Sequence, residues 1–120
     1  MTTTAAELTK QHCAPCEGGI PALGAEGVRE HLAVLPAWRL TDDGRRIRRE
    51  WRAKDFATVL DFFHRVGQIA EQEDHHPDLH LTGYRNVAIE VWTHAVGGLT
   101  QNDFILAAKI DTLPVALKKT

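Results

Sequence analysis

The sequence predicts one α+β domain in which three helices pack on one face of a four-stranded antiparallel sheet. Residues 38–41 and 46–52 flank an Asp-Asp-Gly turn, which is typical of a β-hairpin. Residues 79–84 and 87–93 predict a second hairpin, because aliphatic and polar side chains alternate along the latter run. Segments with apolar residues at helical spacing precede, separate and follow the hairpins, so the predicted order is α-β-β-α-β-β-α.

Length and composition fit this single domain. The chain has 120 residues, 43% of them hydrophobic, and can therefore bury one core. Its formal net charge of -2 gives no general attraction to nucleic acid or to an anionic membrane. No apolar run approaches the roughly 18 residues that span a bilayer, and the N-terminus lacks the pattern of a signal peptide. We therefore expect a cytoplasmic protein that binds neither a membrane nor nucleic acid directly.

Residues 1–24 predict a loop-like arm that precedes the domain formed by residues 25–120. Cys13 and Cys16 have the spacing of a redox pair or of half a zinc site. A structural zinc site needs four ligands, and a thioredoxin-like motif would lie between a strand and a helix rather than among prolines and glycines. We expect reduced thiols, and a metal half-site that includes His12 is the alternative.

The long second helix gives the strongest helix signal in the chain. Asp55 is a plausible N-cap, and apolar residues recur after it at steps of three and four. Pro77 disfavours helical geometry at His76, so the helix is predicted to end near Asp74. The pair His75-His76 is then expected in an irregular junction at the helix end.

The first and last helices are shorter. Residues 25–35 carry apolar side chains on one side and stop at Pro36. Thr100 and Asp103 have the spacing of a capping box, with Thr at the N-cap and an acid at N3. The last helix is therefore predicted to begin there and to continue until Pro114.

Alternation along the strands predicts which side chains face the helices. In the first hairpin, Ile47 and Trp51 share the predicted buried face. In the last strand, His94 falls opposite the aliphatic row that begins at Val87. The second face of the sheet is expected to stay open.

Histidines and acids cluster between residues 71 and 103. The cluster contains His75, His76 and His94 together with the carboxylates of Glu71, Asp74 and Asp103. Histidine has an ordinary pKa of roughly 6.5 and both gives and takes protons near neutrality, so acid/base catalysis is the leading interpretation. The simpler alternatives are a polar helix end, a capping carboxylate and an exposed residue at a strand end.

A metal site is a weaker interpretation of the histidines than acid/base catalysis. His76 and His80 have a spacing that would face one metal ion on a helix, but Pro77 interrupts that helix and the HExxH pattern is missing, so we expect no metal site.

The first hairpin concentrates arginines, which could meet phosphates or an acidic protein partner. A solvated strand edge that discourages aggregation is the commoner role of such a run. These arginines are Arg45, Arg46, Arg48, Arg49 and Arg52.

The cluster resembles the motif of the pterin-4a-carbinolamine dehydratase family. That motif has an acid, three residues, His-His-Pro, a Tyr, nine residues, a His, eight residues and an Asp. The matching positions here are Glu71, His75, His76, Pro77, Tyr84, His94 and Asp103. The segments 92–111 and 13–21 also resemble the last strand and helix and the arm of bacterial members.

The resemblance implies dehydration of 4a-hydroxytetrahydrobiopterin to a quinonoid dihydropterin, without a metal or an organic cofactor. His75 and His94 would form the acid/base pair, and His76 would bind and orient the pterin. The remaining motif residues would orient the substrate or the imidazoles; they are Glu71, Asp74, Pro77 and Asp103. Leu79 stands where the family often has an aromatic residue, so one wall of the pterin pocket would differ.

The resemblance also implies partners. Family members are homodimers or homotetramers, and some have noncatalytic roles as a dimerisation cofactor of a transcription factor or in RuBisCO assembly. A noncatalytic interaction role, through the arginine hairpin or the open sheet face, is therefore the alternative function. The completeness of the motif favours the enzyme.

Overall fold

The computed structural model describes residues 4–14 and 20–119. The elements, in chain order, are α1 (Ala5–Thr9), α2 (Ala25–Ala33), β1 (Arg39–Leu40), β2 (Ile47–Arg52), α3 (Phe56–Glu73), β3 (Asp78–Thr82), β4 (Asn86–Val91), a 3-10 turn (His94–Val96) and α4 (Gln101–Asp111). The predicted α+β class, both hairpins and the three predicted helices are confirmed.

The two hairpins join side by side into one antiparallel sheet with strand order β1-β2-β4-β3. The central pair runs from Ile47 opposite Val91 to Arg52 opposite Asn86. Ile47 is fully buried and Trp51 is 8% exposed, which confirms the predicted inward face of β2. Because β4 is central, its C-terminal end leads directly from the core to the turn that contains His94.

The core lies between the sheet and the helices. The face of α3 that carries Val59, Phe62 and Val66 is buried, and Phe62 packs edge-on against Trp51. Helix α4 is buried on nearly all sides, so even its polar Asn102 and Asp103 are withdrawn from solvent. A buried polar group needs a hydrogen-bond partner, and this requirement shapes the beginning of α4.

The prediction of a loop-like arm is wrong at Ala5–Thr9, which forms the one-turn helix α1. The Thr4 side chain caps it by accepting a hydrogen bond from the Glu7 N–H at 3.1 Å. Leu8 is fully buried in the core, and α1 packs against α4. A helix this short depends on tertiary packing, which local periodicity does not reveal.

Three of the five arginines of the first hairpin are paired with carboxylates on other elements. Arg46 and Arg48 donate to opposite oxygens of Glu90 at 3.2 and 2.7 Å, and Arg49 donates to Asp111. Glu90 is only 9% exposed although it lies on the sheet face away from the helices. These ion pairs favour a structural role over phosphate binding for Arg46, Arg48 and Arg49.

Within residues 4–14 and 20–119, no helix combines the length and the apolar character that crossing a membrane requires.

Candidate active site

The turn at the C-terminal end of α3 places the adjacent residues His75 and His76 in different environments, one buried and one exposed. Asp74 adopts the left-handed conformation, with φ 50° and ψ 42°, and the next N–H, that of His75, donates to the Ala70 carbonyl at 3.2 Å. The Asp74 N–H donates to the Glu71 carbonyl at 3.4 Å, which completes a Schellman motif. The reversal of the chain leaves His75 5% exposed and His76 in solvent, so the predicted helix end is confirmed.

Asp103 is the centre of the buried polar network. Its Oδ2 accepts hydrogen bonds from the Thr100 N–H and from the Thr93 hydroxyl, both at 2.9 Å. Its Oδ1 lies 2.7 Å from His75 Nε2. The bond to Thr100 belongs to the predicted capping box, which is confirmed. One fully buried carboxylate therefore begins α4, joins the end of β4 and contacts a histidine at the end of α3.

The geometry assigns the proton of the His75 ring. An ionised carboxylate only accepts hydrogen bonds, so His75 Nε2 must carry the proton that faces Asp103. The other carboxylate oxygen of Asp103 accepts from the Thr93 hydroxyl and the Thr100 N–H, so both oxygens have partners. Asp103 thus fixes the tautomer and the orientation of His75, as a carboxylate does for a catalytic imidazole.

His94 reaches the same region from β4. It directly follows Thr93, whose hydroxyl shares the Asp103 carboxylate with His75. The His94 ring is exposed and lies 4.0 Å from the Trp92 ring, centroid to centroid. The Arg46 guanidinium lies 4.7 Å from the same indole centroid. The buried His75 and the exposed His94 are thus linked through Thr93 and the Asp103 carboxylate.

The other predicted site residues lie around the α3 terminus. His76 Nε2 is 3.0 Å from Glu71 Oε2, with these side chains 57% and 79% exposed. Pro77 follows at intermediate burial and leads into β3. The Asp74 carboxylate is exposed, and it forms no hydrogen bond or ion pair with another described residue. Exposed ion pairs contribute about 0–1 kcal/mol, so these groups are available to a ligand at little cost.

Tyr84 lies away from the histidines. It occupies the β3–β4 turn with φ 56°, and the Arg85 guanidinium lies 4.8 Å from its ring centroid. The hairpin register places Asp78 opposite Glu90 at the histidine end and Thr82 opposite Asn86 at the turn end. Of the predicted site residues, the structure pairs His75 with Asp103 and His76 with Glu71, whereas Tyr84 lies at the far end of the second hairpin.

Sequence reasoning missed Glu73, which is buried two residues before His75. Its Oε1 accepts from the Cys13 N–H at 2.7 Å, and its Oε2 lies 3.0 Å from Lys109 Nζ and 3.2 Å from His12 Nδ1. Burial alone raises the pKa of Glu73, but these three hydrogen bonds outweigh it and lower the pKa from 4.5 to about 2. The helical spacing could have indicated that Glu73 is buried, because it follows Ala70 by three residues on the buried face of α3.

Cys13 is a protonated thiol in this environment. Burial, followed by the nearby negative charge of Glu73, raises the pKa of Cys13 to about 12. This supports the expectation of a reduced, unreactive thiol at Cys13, whereas Cys16 lies outside the described residues. The described part of the chain contains no group of three or more His, Cys, Asp or Glu side chains that could hold a metal ion.

An open groove of about 600 Å³ follows the outer side of α3, lined by residues from Phe63 to Gln72. It includes Glu71 but neither His75 nor His94. The groove therefore borders the acid/base cluster on one side only. The polar network rather than this groove defines the site.

The buried His75 contacts the Asp103 carboxylate, and the exposed His76 and His94 follow the ends of α3 and β4. The model of the pterin 4 alpha carbinolamine dehydratase family matches residues 21–113. The chain therefore belongs to the pterin-4a-carbinolamine dehydratase family, and the prediction of an enzyme of the hydro-lyase class is confirmed through its relatives.

Individual relatives agree with this assignment. The chain is 50% identical over 113 residues to pterin-4-alpha-carbinolamine dehydratase 2, mitochondrial, of Arabidopsis thaliana, covering 92% of this chain and 60% of that protein. A bacterial relative named for the same family, from Rubrobacter xylanophilus, is 42% identical, with 89% of this chain and 98% of the relative covered. The solved structure of a transcriptional coactivator/pterin dehydratase from Brucella melitensis superposes with a TM-score of 0.72 at 30% identity. That superposition covers 77% of this chain and 97% of the other.

The buried Glu73 predicts a specific acid sensitivity. Its pKa is depressed in the folded state, so its stabilisation is complete above pH 4.5 and is lost as pH falls towards 2. Urea unfolding should show Glu73→Gln to be less stable than wild type near neutrality. The difference between the two proteins in the free energy of unfolding should shrink by roughly 3 kcal/mol or less on acidification to about pH 2. Glu71→Gln, at an exposed glutamate, is the control and should follow wild type; a gap for Glu73→Gln that does not change with pH would contradict the assignment.

Proposed function

We propose that this chain dehydrates a pterin-4a-carbinolamine by histidine acid/base catalysis. The C4a–O bond breaks, N5 gives up its proton, a C4a=N5 double bond forms and one water molecule leaves. The departing hydroxyl needs a general acid and N5 needs a general base, and each positioned proton transfer typically contributes 10²- to 10⁴-fold. The observation that carries the proposal is the buried pair His75–Asp103, which Thr93 joins to the turn that bears His94.

His75 and His94 are the proposed proton-transfer pair. Asp103 holds His75 Nε2 at 2.7 Å and stabilises the imidazolium that forms when His75 takes a proton. His94 is exposed and rests on the Trp92 ring, which limits its orientations while leaving it accessible to solvent and substrate. The two imidazoles differ in burial and in partner, which suits one acid and one base in a single reaction.

His76 is proposed to bind and orient the pterin, together with Glu71, Asp74 and Pro77. His76 is already held towards Glu71 by a 3.0 Å contact and remains more than half exposed. The left-handed turn at Asp74 places its carboxylate at the helix end, where it can accept hydrogen bonds from a pterin ring. The proton-transfer chemistry needs no metal and no organic cofactor, because the N5 lone pair expels the protonated hydroxyl.

The expected cytoplasmic location and the homodimeric or homotetrameric state remain proposals. A separate noncatalytic role gains no support from Arg46, Arg48 and Arg49, whose guanidinium groups pair with Glu90 and Asp111. Light scattering coupled to size-exclusion chromatography measures the oligomeric state directly.

Replacing the proposed catalytic histidines should abolish most of the rate. We expect His75→Ala and His94→Ala each to lower kcat by about 10²- to 10⁴-fold, measured by the absorbance change of synthetic 4a-carbinolamine. His80→Ala is the matched control, because His80 is an exposed histidine on the edge strand β3. Wild-type protein that dehydrates the substrate no faster than buffer would overturn the proposed function.

The substitution Asp74→Gly removes the carboxylate while keeping the left-handed turn that ends α3. Glycine adopts the left-handed conformation without steric cost, so the variant should keep or slightly gain stability, by up to about 1 kcal/mol. If the carboxylate orients the pterin, KM should rise several-fold while kcat changes little. An unchanged KM in a stably folded variant would remove Asp74 from the proposed site.

A further inference from the structure

We infer that arm residues 12–14 are a positioning element of the active site, held in place by Glu73 and Asn102. The inference rests on the proposed function, since it assigns these residues a role in orienting His75 and Asp103. The family match begins at residue 21, so these arm residues precede the part of the chain that the family model describes.

Asn102 forms a two-point contact with the arm. Its Oδ1 accepts from the Ala14 N–H at 2.9 Å, and its Nδ2 donates to the Ala14 carbonyl at 2.8 Å. The side chain is 1% exposed, and it immediately precedes Asp103 in the first turn of α4. Two hydrogen bonds in opposite directions fix both the position and the rotation of the amide. The arm therefore restrains the helix turn from which Asp103 reaches His75.

Glu73 provides the second anchor, at the last residue of α3. It joins three segments, because it accepts from the Cys13 N–H in the arm and from Lys109 on α4. Its side chain is 4% exposed, so the contacts are made without competition from water. His12 adds a third contact, but its side chain is 84% exposed and contributes little.

Each anchor is close in sequence to one partner of the His75–Asp103 hydrogen bond. Asn102 is one residue before Asp103, and Glu73 is two residues before His75. Further along the arm, Gln11 accepts from Gln101 at 3.2 Å, and Leu8 is buried with α1 against α4. The arm thus bridges the end of α3 and the beginning of α4, the two termini that supply the buried pair.

This arrangement matters because proton transfer depends on position more steeply than binding does. A displacement of about 1 Å caused by a distant substitution can cost up to about 100-fold in rate. An arm that contributed only stability would behave differently: loosening it would lower the free energy of unfolding without changing the turnover of the folded protein.

The test compares full-length Asn102→Ala and Glu73→Gln with Arg49→Met. Arg49→Met breaks the contact with Asp111 at the opposite end of α4 and lies outside the proposed site, so it controls for lost stability. All proteins are assayed at a temperature at which urea titration shows each to be folded. We expect the anchor variants to lose about 10- to 100-fold in kcat at nearly constant KM, while Arg49→Met keeps the wild-type kcat.

A spectroscopic readout separates failure of this inference from failure of the proposed function. In ¹⁵N NMR spectra of the wild type, the His75 Nε2 proton should be held in its hydrogen bond to Asp103. The anchor variants should shift or broaden this signal, and Arg49→Met should not. If wild type lacks dehydratase activity, the proposed function fails and the NMR comparison alone decides the inference. Anchor variants with wild-type kcat, or, in an inactive protein, with an unchanged His75 signal, would overturn it.

Discussion

The carboxylate of Asp103 is the interaction on which the rest of the site depends. It is fully buried, and it satisfies donors from three directions: the first turn of α4, the end of β4 and the imidazole at the end of α3. Leaving any of these buried groups unpaired would cost about 1–3 kcal/mol, so fold and site are stabilised by the same bonds. Capping a helix and orienting a histidine are here two functions of one side chain.

The other buried polar residues at the beginning of α4 depend on partners in the same way. Helix α4 is buried almost completely, so the polar residues of its first turn need partners inside the protein. Thr93, His75 and the arm residue Ala14 supply them. His76, Glu71 and His94 are exposed, so the proposed substrate site combines hydrogen-bonded buried residues with side chains that solvent reaches.

Local rules predicted the elements, and long-range packing decided the contacts. Pro77 indicated the end of α3 correctly, and the spacing of Thr100 and Asp103 indicated the beginning of α4. The contact between His75 and Asp103 spans 28 residues of sequence, and no periodicity encodes it; only the family resemblance placed these residues together. Glu73 was missed because its partner Cys13 is 60 residues away, in a segment that was expected to be a loop.

The most direct test of the account is the effect of Asp103→Asn on the His75 ring. The amide offers one acceptor oxygen in place of two, so it can accept from His75 or from the Thr100 N–H, but not fully from both. The ring-nitrogen chemical shifts of His75 should show the proton on Nε2 in the wild type and a loss of that preference in Asp103→Asn, with kcat lower by about 10²-fold or more. An unchanged tautomer together with a kcat within about threefold of wild type would contradict the central role of this carboxylate.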